Sequence, residues 1–327
     1  MTQARRRSLL AWPGLALAVP ALAQPADTFP NKPLRMIVPF APGGPMDIFG
    51  RPIAERLGRR LGQPVIIDNR PGANGIVGTQ QVATAPPDGY TLMFTTGSFI
   101  GNIFFSPNPL PYDPMKDIAP VTLVGGGTGM LLIGRANLAA QNMRELVALA
   151  RSKPDALSIA MSGIGNITHL GAEQFQEFTG AKLLQVTVHG TMPSITEMLS
   201  GNLDLNFSTV PPAYPFVRDG KLRAFGYTGL RRPRVLPEVP TMKELGFPDW
   251  ELIGMMGLWT TGGTPPDRIR RIQEAVREVV QSPDLAKLFH DGEFEPSGMP
   301  PEDFARYLEQ EYAMQQAIAK RIGMQRR

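Results

Sequence analysis

The chain has 327 residues, of which 43% are hydrophobic and 19% are charged, and its formal net charge at pH 7 is +4. This length exceeds one comfortable hydrophobic core and predicts two domains. The modest charge, without blocks of one sign, gives no indication of a nucleic-acid partner, and the absence of cysteine excludes disulfides and thiolate chemistry.

The first segment has the three parts of a secretory signal peptide. Three arginines at 5–7 precede an apolar run over 9–22, and the small residue Ala23 follows. Pro13 and Pro20 disfavour the alternative, a buried N-terminal helix. We expect export to the periplasm with cleavage near Ala23, by the general or the twin-arginine route. Loss of residues 1–23 removes three arginines and no acidic residue, which lowers the formal charge to +1.

From Leu34 onward, short apolar runs alternate with segments of helical period, which predicts parallel strands with crossover helices. The predicted strands, all of buried character, are 34–39, 65–68, 90–95, 157–161, 183–188, 203–207 and 222–228. The predicted helices are 48–61, 143–152, 170–178, 193–199, 212–217, 264–280 and a last one that carries Phe304, Leu308 and Ile318.

Two apolar segments, 121–133 and 252–260, are interrupted or followed by glycines and are predicted to cross between two lobes. The first lobe is then discontinuous, with residues 29–124 and 253–327, and residues 125–252 form the second lobe. The glycines at 125–127 suit a hinge, or alternatively a β-bulge or close backbone packing. The methionine-rich stretch 254–259 is interpreted as core or hinge packing.

Four small, polar loops precede predicted helices, at 38–47, 95–98, 162–169 and 189–194. In open α/β sheets, ligands lie beyond the carboxyl ends of the strands. Glycines allow close backbone approach, and the first N–H groups of a helix lack internal partners, so the first loop is a candidate carboxylate site. Each loop alone is also compatible with an ordinary turn, but recurrence in both predicted lobes favours binding.

The sequence offers little for other chemistry. His169, His189 and His290 lack metal-ligand spacing, and no serine stands in a G-x-S-x-G elbow. The glycine loops lack both a dinucleotide fingerprint and a P-loop lysine. We therefore expect no metal, no cofactor and no catalysis, with His290 on the surface and His189 either a ligand contact or a polar loop residue. An exported enzyme acting on a small organic acid stays the alternative.

Several long motifs in register resemble a known family. They are the run 32–44 with Asp47, and the segments 61–65, 69–73, 87–92, 111–114, 220–224 and 237–241. On these motifs the whole mature chain resembles the Bug-type, TctC-like receptors of tripartite tricarboxylate transport. The resemblance implies a type II periplasmic binding fold, with two doubly wound α/β lobes joined by two crossing strands. It also implies a monomeric receptor that delivers a small carboxylate ligand to the membrane subunits of a transporter; a receptor that feeds a sensor protein is left open.

Carried over by position, the resemblance assigns the carboxylate to the first loop and the rest of the ligand to loops of both lobes. The predicted ligand-binding residues are Phe40, Ala41, Pro42, Gly43, Gly44, Asp47, Gly97, Ser98, Ser162, Gly163, Asn166, Thr168, His169, His189, Gly190, Thr191 and Ser208.

Some positions depart from the family pattern. His189 stands where a lysine is common, Ser208 where an aspartate is common, and Asn166 and Ile167 where small hydroxyl residues are usual. These departures disfavour an amino-acid ligand and predict a less polar pocket. Gly50 and Pro52 also fall in the first turns of the first helix, and we expect a kink or a delayed start near Arg51.

Overall fold

The computed structural model describes residues 29–188, 190–250, 252–321 and 323. The predicted signal peptide and His189 lie outside the described residues. Two β-sheets, called the first and the second sheet below, each carry helices on both faces. Within the described ranges, no helix combines the length and the apolar composition that crossing a membrane requires.

The first sheet has six strands, and most of its parallel pairing involves the first strand. Its strands are β1 (Leu34–Val38), β2 (Val65–Asn69), β3 (Thr91–Thr96), β4 (Ile118–Thr128), β10 (Gly254–Thr261) and β11 (Glu295–Pro296). The order across the sheet is β11-β4-β10-β3-β1-β2. β1 is parallel to β2 and β3, whereas β10 is antiparallel to β3 and β4.

Helices cover this sheet on two sides because each has an apolar stripe. On one face, α1 (Pro45–Leu61), α8 (Pro266–Val280) and α9 (Pro283–Asp291) share one buried cluster, with Phe49, Ile272 and Phe289 among its members. On the other face lie α2 (Ile76–Ala83), α3 (Ser98–Phe105) and α10 (Pro301–Arg321), around Trp259 and Phe304.

The second sheet repeats this layering with five strands. They are β5 (Leu131–Arg135), β6 (Ser158–Met161), β7 (Leu184–Thr187), β8 (Leu205–Ser208) and β9 (Leu222–Tyr227), in the order β7-β6-β8-β5-β9. β6 is parallel to β7 and β8. The helices α4 (Met143–Ser152) and α5 (Ile167–Thr179) pack on one face, and α6 (Thr191–Ser200) and α7 (Val210–Arg218) pack on the other.

The chain crosses from the first sheet to the second between β4 and β5, and it returns between β9 and β10. The predicted α/β class with two layered units is therefore confirmed, while the exact lobe boundaries stay a prediction. α10 belongs to both units. Phe304 lies in the core of the first sheet, and Ile318 and Ala319 lie in a core of the second sheet.

All seven predicted strands form within two residues of their expected ends. The prediction that all seven strands are buried is wrong for β2 and β7. Both are edge strands, and Ile66 and Leu184 are about half exposed. The segment predicted as one crossing strand is two strands, β4 and β5, separated at Gly129. A Cβ on Gly129 would lie 2.1 Å from the backbone nitrogen of Gly229, so the two crossing segments touch there through glycines.

The glycines of β4 serve close packing. A Cβ on Gly125 would lie 2.5 Å from the ring of Phe289, and the β4–β10 register shifts beside this residue. Bulging and close packing are thus both present, whereas motion at this point stays a prediction. Met255 and Met256 are buried, which confirms the interpretation of their stretch as core packing.

The expected delayed start of the first helix is wrong. α1 begins at Pro45 and continues through Pro52 to Leu61. Pro52 lacks an N–H and gives up one helical hydrogen bond, but the buried residues Ile53 and Leu57 hold the following turns in the core. Gly50 is explained by close approach, since its Cβ would lie 3.2 Å from the ring of Phe94.

Candidate functional site

The candidate site is built from loops that follow parallel strands and lead into helices. In the first sheet these loops join β1 to α1 and β3 to α3, and in the second sheet they join β6 to α5, β7 to α6 and β8 to α7. Because parallel strands end at the same edge of a sheet, each sheet gathers its loops at one edge. Every described residue of the predicted set lies in one of these loops or in the helical turn or strand end beside it.

The loop after β1, residues 39–44, is held by one carboxylate. Asp47 Oδ2 accepts the Gly43 N–H at 3.0 Å and the Arg51 Nε–H at 2.8 Å. Its other oxygen, Oδ1, accepts from Asn69 Nδ2 at 3.2 Å, and the same amide donates to the Phe40 carbonyl at 3.1 Å. The loop therefore has a fixed shape before any ligand arrives.

The electrostatics of Asp47 agree with this positioning role. Burial acts to raise the pKa of this carboxyl, but hydrogen bonds from Arg51, Gly43 and Asn69 outweigh it and hold the pKa below its usual 3.8. Only 6% of Asp47 is exposed. The Asp47 carboxylate is thus ionised, and both of its oxygens accept hydrogen bonds from protein groups in or beside the loop. Its role is to fix the conformation of the loop.

The N-terminus of α1 leaves donors available. The N-cap residue is Gly44, so no side chain accepts from the first N–H groups of the helix. The preceding Gly43 has φ of 78°, a conformation that favours glycine. Pro45 has no N–H to donate, whereas Met46 stands at the second helical position, where the helix supplies no acceptor. The backbone at this turn is suited to an anion.

The loop after β3 adds hydroxyl groups next to the first loop. Ser98 begins α3, and its Oγ lies 2.9 Å from Thr96 Oγ1. The Gly97 carbonyl accepts from Gln315 Nε2 at 3.4 Å. Through this bond α10 helps to fix the position of the predicted site residues Gly97 and Ser98.

The loop after β6 is organised by neutral groups. Asn166 caps α5, with its Oδ1 accepting from the Thr168 N–H and the Thr168 hydroxyl, each at 3.1 Å. The Thr168 Oγ1 in turn accepts from the Ser162 N–H at 2.8 Å. Gly163 and Gly165 have φ of 152° and 76°, which permits the sharp path between β6 and α5.

His169 supports this loop from the interior. It is 3% exposed, and its Nδ1 accepts the Gly165 N–H at 3.1 Å, while its Nε2 lies 3.6 Å from Glu173 Oε1. The nearby His169 imidazole is the largest of the causes that lower the pKa of Glu173. His169 was predicted to line the cleft, and these contacts give it a positioning role below the loop.

The remaining predicted residues lie at the starts of α6 and α7. Gly190 is the N-cap of α6 with φ of 117°, and Thr191 begins that helix. Ser208 ends β8, is 1% exposed, and donates its hydroxyl hydrogen to the Thr209 carbonyl at 2.9 Å. Ser208 is therefore covered rather than presented at a surface.

The loops of the first sheet form the first loop set, and those of the second sheet form the second loop set. Hydrogen bonds connect the two sets through residues that the sequence did not predict for the site. Asn74, in the turn after β2, donates to Asn102 Oδ1 at 2.9 Å and to the Ile164 carbonyl at 3.5 Å. Asn166 Nδ2 donates to Asn74 Oδ1 at 3.3 Å. Asn74 has φ of 53°, and asparagine is one of the few side chains that tolerate this region. The sequence does contain one indication of this role, because Asn74 is a polar residue beside the glycine turn at Gly72.

His290 lies at the surface near the end of α9, as predicted, with its Nε2 3.3 Å from Glu295 Oε2. Among the described residues, no group of three or more histidine, aspartate or glutamate side chains is arranged to hold a metal ion.

Two units of this kind, each presenting strand-end loops and helix N-termini, define a bilobal solute-binding protein. A family model described as the tripartite tricarboxylate transporter family receptor matches residues 49–324. Protein BugT of Bordetella pertussis is 34% identical over 284 residues, covering 86% of this chain and 87% of the relative.

Solved structures agree. The periplasmic binding protein BugD is 30% identical with a TM-score of 0.84, covering 91% of this chain and 100% of that one. Rpa4515 of R. palustris, solved with adipate, is 29% identical with a TM-score of 0.84, covering 90% and 98%. The chain belongs to the tripartite tricarboxylate transporter receptor family, and the resemblance inferred from its motifs is confirmed.

Proposed function

We propose that this chain is a non-catalytic periplasmic receptor that encloses a small carboxylate-bearing molecule and delivers it to the membrane subunits of a tripartite transporter. Residues 29–124 with 253–327 form one lobe and residues 125–252 the other. The observation that carries the proposal is the pair of loop sets joined by Asn74, which bonds to Ile164 and Asn166 of the second set.

The first loop supplies the anion end. Its acid, Asp47, is occupied by Gly43, Arg51 and Asn69, so the groups left for a ligand at this turn are backbone N–H donors at the start of α1. Donors without internal partners at a helix N-terminus stabilise a carboxylate. The adipate seen in the relative Rpa4515 supports the same ligand class.

Uncharged groups of the second loop set contact the rest of the ligand. Ser162, Asn166 and Thr168 are linked to one another, and Gly190 and Thr191 open the next helix. Closure is favoured because a ligand held by both sets binds the closed state more tightly than the open state.

Calorimetric titration of the mature protein with a panel of carboxylates, each paired with its uncharged amide, tests this function. We expect one-to-one binding of at least one acid and no heat of binding with its amide. Equal binding of acid and amide, or no binding of any acid, overturns the carboxylate assignment.

Two further measurements separate the alternatives. Incubating the bound acid with the protein should return it unchanged, and conversion to a product would identify an exported enzyme instead. Deleting the gene should abolish uptake of the labelled acid by whole cells, whereas normal uptake would favour a receptor that feeds a sensor. N-terminal sequencing of the periplasmic protein tests cleavage near Ala23.

A further inference from the structure

A small apolar cavity lies between the two units and beside the candidate site. Its volume is about 90 Å³, and its walls are mainly Ile48, Phe49, Leu288, Phe294, Pro211 and Pro212. α1 and α9 provide the side that belongs to the first sheet, and the start of α7 provides the side that belongs to the second sheet. Filling this cavity therefore requires a group that touches both units.

We propose that this cavity is a subsite for the hydrocarbon part of the ligand, so that the receptor selects monocarboxylates with an alkyl tail over dicarboxylates of equal length. This inference rests on the proposed function, because the carboxylate must be held at the first loop for the tail to reach the cavity.

The position of the cavity fits a ligand anchored at that loop. Ile48 follows Asp47 in α1, and Thr209, another wall residue, follows Ser208. Ile48 is four residues beyond the N-cap Gly44, which corresponds to about 6 Å along the helix axis. A short alkyl chain spans this distance, from the donors at the helix start to the apolar wall.

The walls are suited to hydrocarbon. Ile48 is 51% exposed, although it stands on a helix whose other large apolar residues turn into the core. A tail that covers Ile48 removes apolar surface from water on both partners, which is the main source of affinity in such sites.

The same walls are unsuited to a second carboxylate. Pro211 and Pro212 occupy the second and third positions of α7 and have no N–H, so that helix start lacks two of its usual donors. Among the described residues, no lysine, arginine or histidine lines the cavity, and the one charged residue in its wall is Asp291, which is paired with Lys287 at 2.6 Å. A carboxylate placed here loses water and meets an acid, which is strongly unfavourable.

Hexanoate and adipate provide a matched pair, because both have six carbons and differ only at the far end. Hexanoate ends in a methyl group there, and adipate ends in a second carboxylate. In calorimetric titrations we expect hexanoate to bind at least about tenfold more tightly than adipate. From butanoate to hexanoate, each added methylene should improve Kd about fourfold until the cavity is full.

Two variants locate the effect. Ile48→Ala removes one wall and should reduce the gain per methylene to less than about twofold. Ile66→Ala removes the same atoms from an isoleucine that is 56% exposed on the edge strand β2, and it should leave all affinities unchanged. Both side chains are about half exposed, and both variants should melt at the temperature of the native chain, which confirms that folding is unaffected.

The outcomes distinguish this inference from the proposed function. Adipate binding as tightly as hexanoate, or an unchanged methylene gain in Ile48→Ala, overturns the apolar subsite while the receptor function stands. Failure of every mono- and dicarboxylate to bind overturns the receptor function itself and the subsite with it.

Discussion

The loop after β1 and the loop after β6 both lead into a helix N-terminus, but they are stabilised by different chemistry. The first is held by a buried charge, Asp47, which collects donors from Gly43, Arg51 and Asn69. The second is held by neutral groups, with Thr168 and Asn166 bonded to each other.

This difference indicates a division of labour. A loop whose internal acid is already satisfied is rigid and leaves backbone N–H groups for an anion, so it suits the part common to all carboxylates. The described residues of the second loop set carry no fixed charge to compete with the ligand, so the remainder of the ligand determines the affinity there. Changes to the first loop should therefore weaken every acid, and changes to the second should act selectively.

The largest effect is expected from Asp47→Ala. Three donors lose their common acceptor, so we expect a loss of about 1–3 kcal/mol in the free energy of unfolding and an affinity about 10–100-fold weaker for all acids. Denaturant unfolding and calorimetry measure the two quantities. Asp284→Ala is the control, since it removes an exposed carboxylate paired with Arg56 and should lower stability much less than Asp47→Ala, without changing affinity. Unchanged or tighter binding by Asp47→Ala would contradict the role of this carboxylate.

A smaller effect is expected from Thr168→Val, which keeps the shape and removes the hydroxyl. The Ser162 N–H then loses its acceptor, and we expect about 1–2 kcal/mol of lost stability. Affinity should fall to different extents for different acids, by up to about tenfold. Thr196→Val, at an exposed hydroxyl bonded to the Met192 carbonyl, should change neither quantity. A uniform loss across all acids would place Thr168 in the common anion site instead.

Replacing Asn74 tests the connection between the two loop sets. Asn74→Gly keeps the left-handed backbone and removes only the side-chain bonds with Asn102, Ile164 and Asn166. We expect affinity to weaken about 2–10-fold, the scale of neutral hydrogen bonds. Asn74→Ala should weaken binding at least as much because it adds backbone strain. Wild-type affinity in the glycine variant would show that only the backbone matters at this position.

The smallest effect is expected from pH. The pKa of Asp47 lies below 3.8, so from pH 8 to pH 5 this group stays ionised and affinity for a fully ionised acid should change less than about twofold. Because the folded pKa is below the unfolded value of about 3.9, the carboxylate stabilises the fold above that value, and this contribution is lost as pH falls through the folded pKa. The difference in unfolding free energy between the native chain and Asp47→Asn should be constant above about pH 5 and shrink below about pH 4. A difference that begins to shrink at neutral pH would contradict this assignment.

Much of the fold could be predicted from local patterns. Strands such as β1 and β3 are short apolar runs bounded by turn residues, and they form where expected. α3, from Ser98 to Phe105, was not predicted because the helix is short and buried on nearly all sides, so no exposed polar face marks it in the sequence. The burial of β2 was overestimated because an edge position depends on strand order, which no local run of residues encodes.

The site was predictable as loops but not as contacts. Glycines and hydroxyls before helices identified the segments around Gly43 and Ser162. The inward turn of His169, by contrast, depends on where the Gly165 N–H points after folding. The link between Asn74 and Asn166 joins residues far apart in sequence, and only tertiary structure brings them together.

The central claim, that two lobes close on a carboxylate, is tested most directly by an electron-spin distance measurement. The chain has no cysteine, so Arg59→Cys in α1 with Ser200→Cys in α6 allows two spin labels at exposed positions on opposite units. We expect a shift to shorter distances on addition of a binding acid, and no shift with its amide. An unchanged distance distribution at saturating acid would contradict closure.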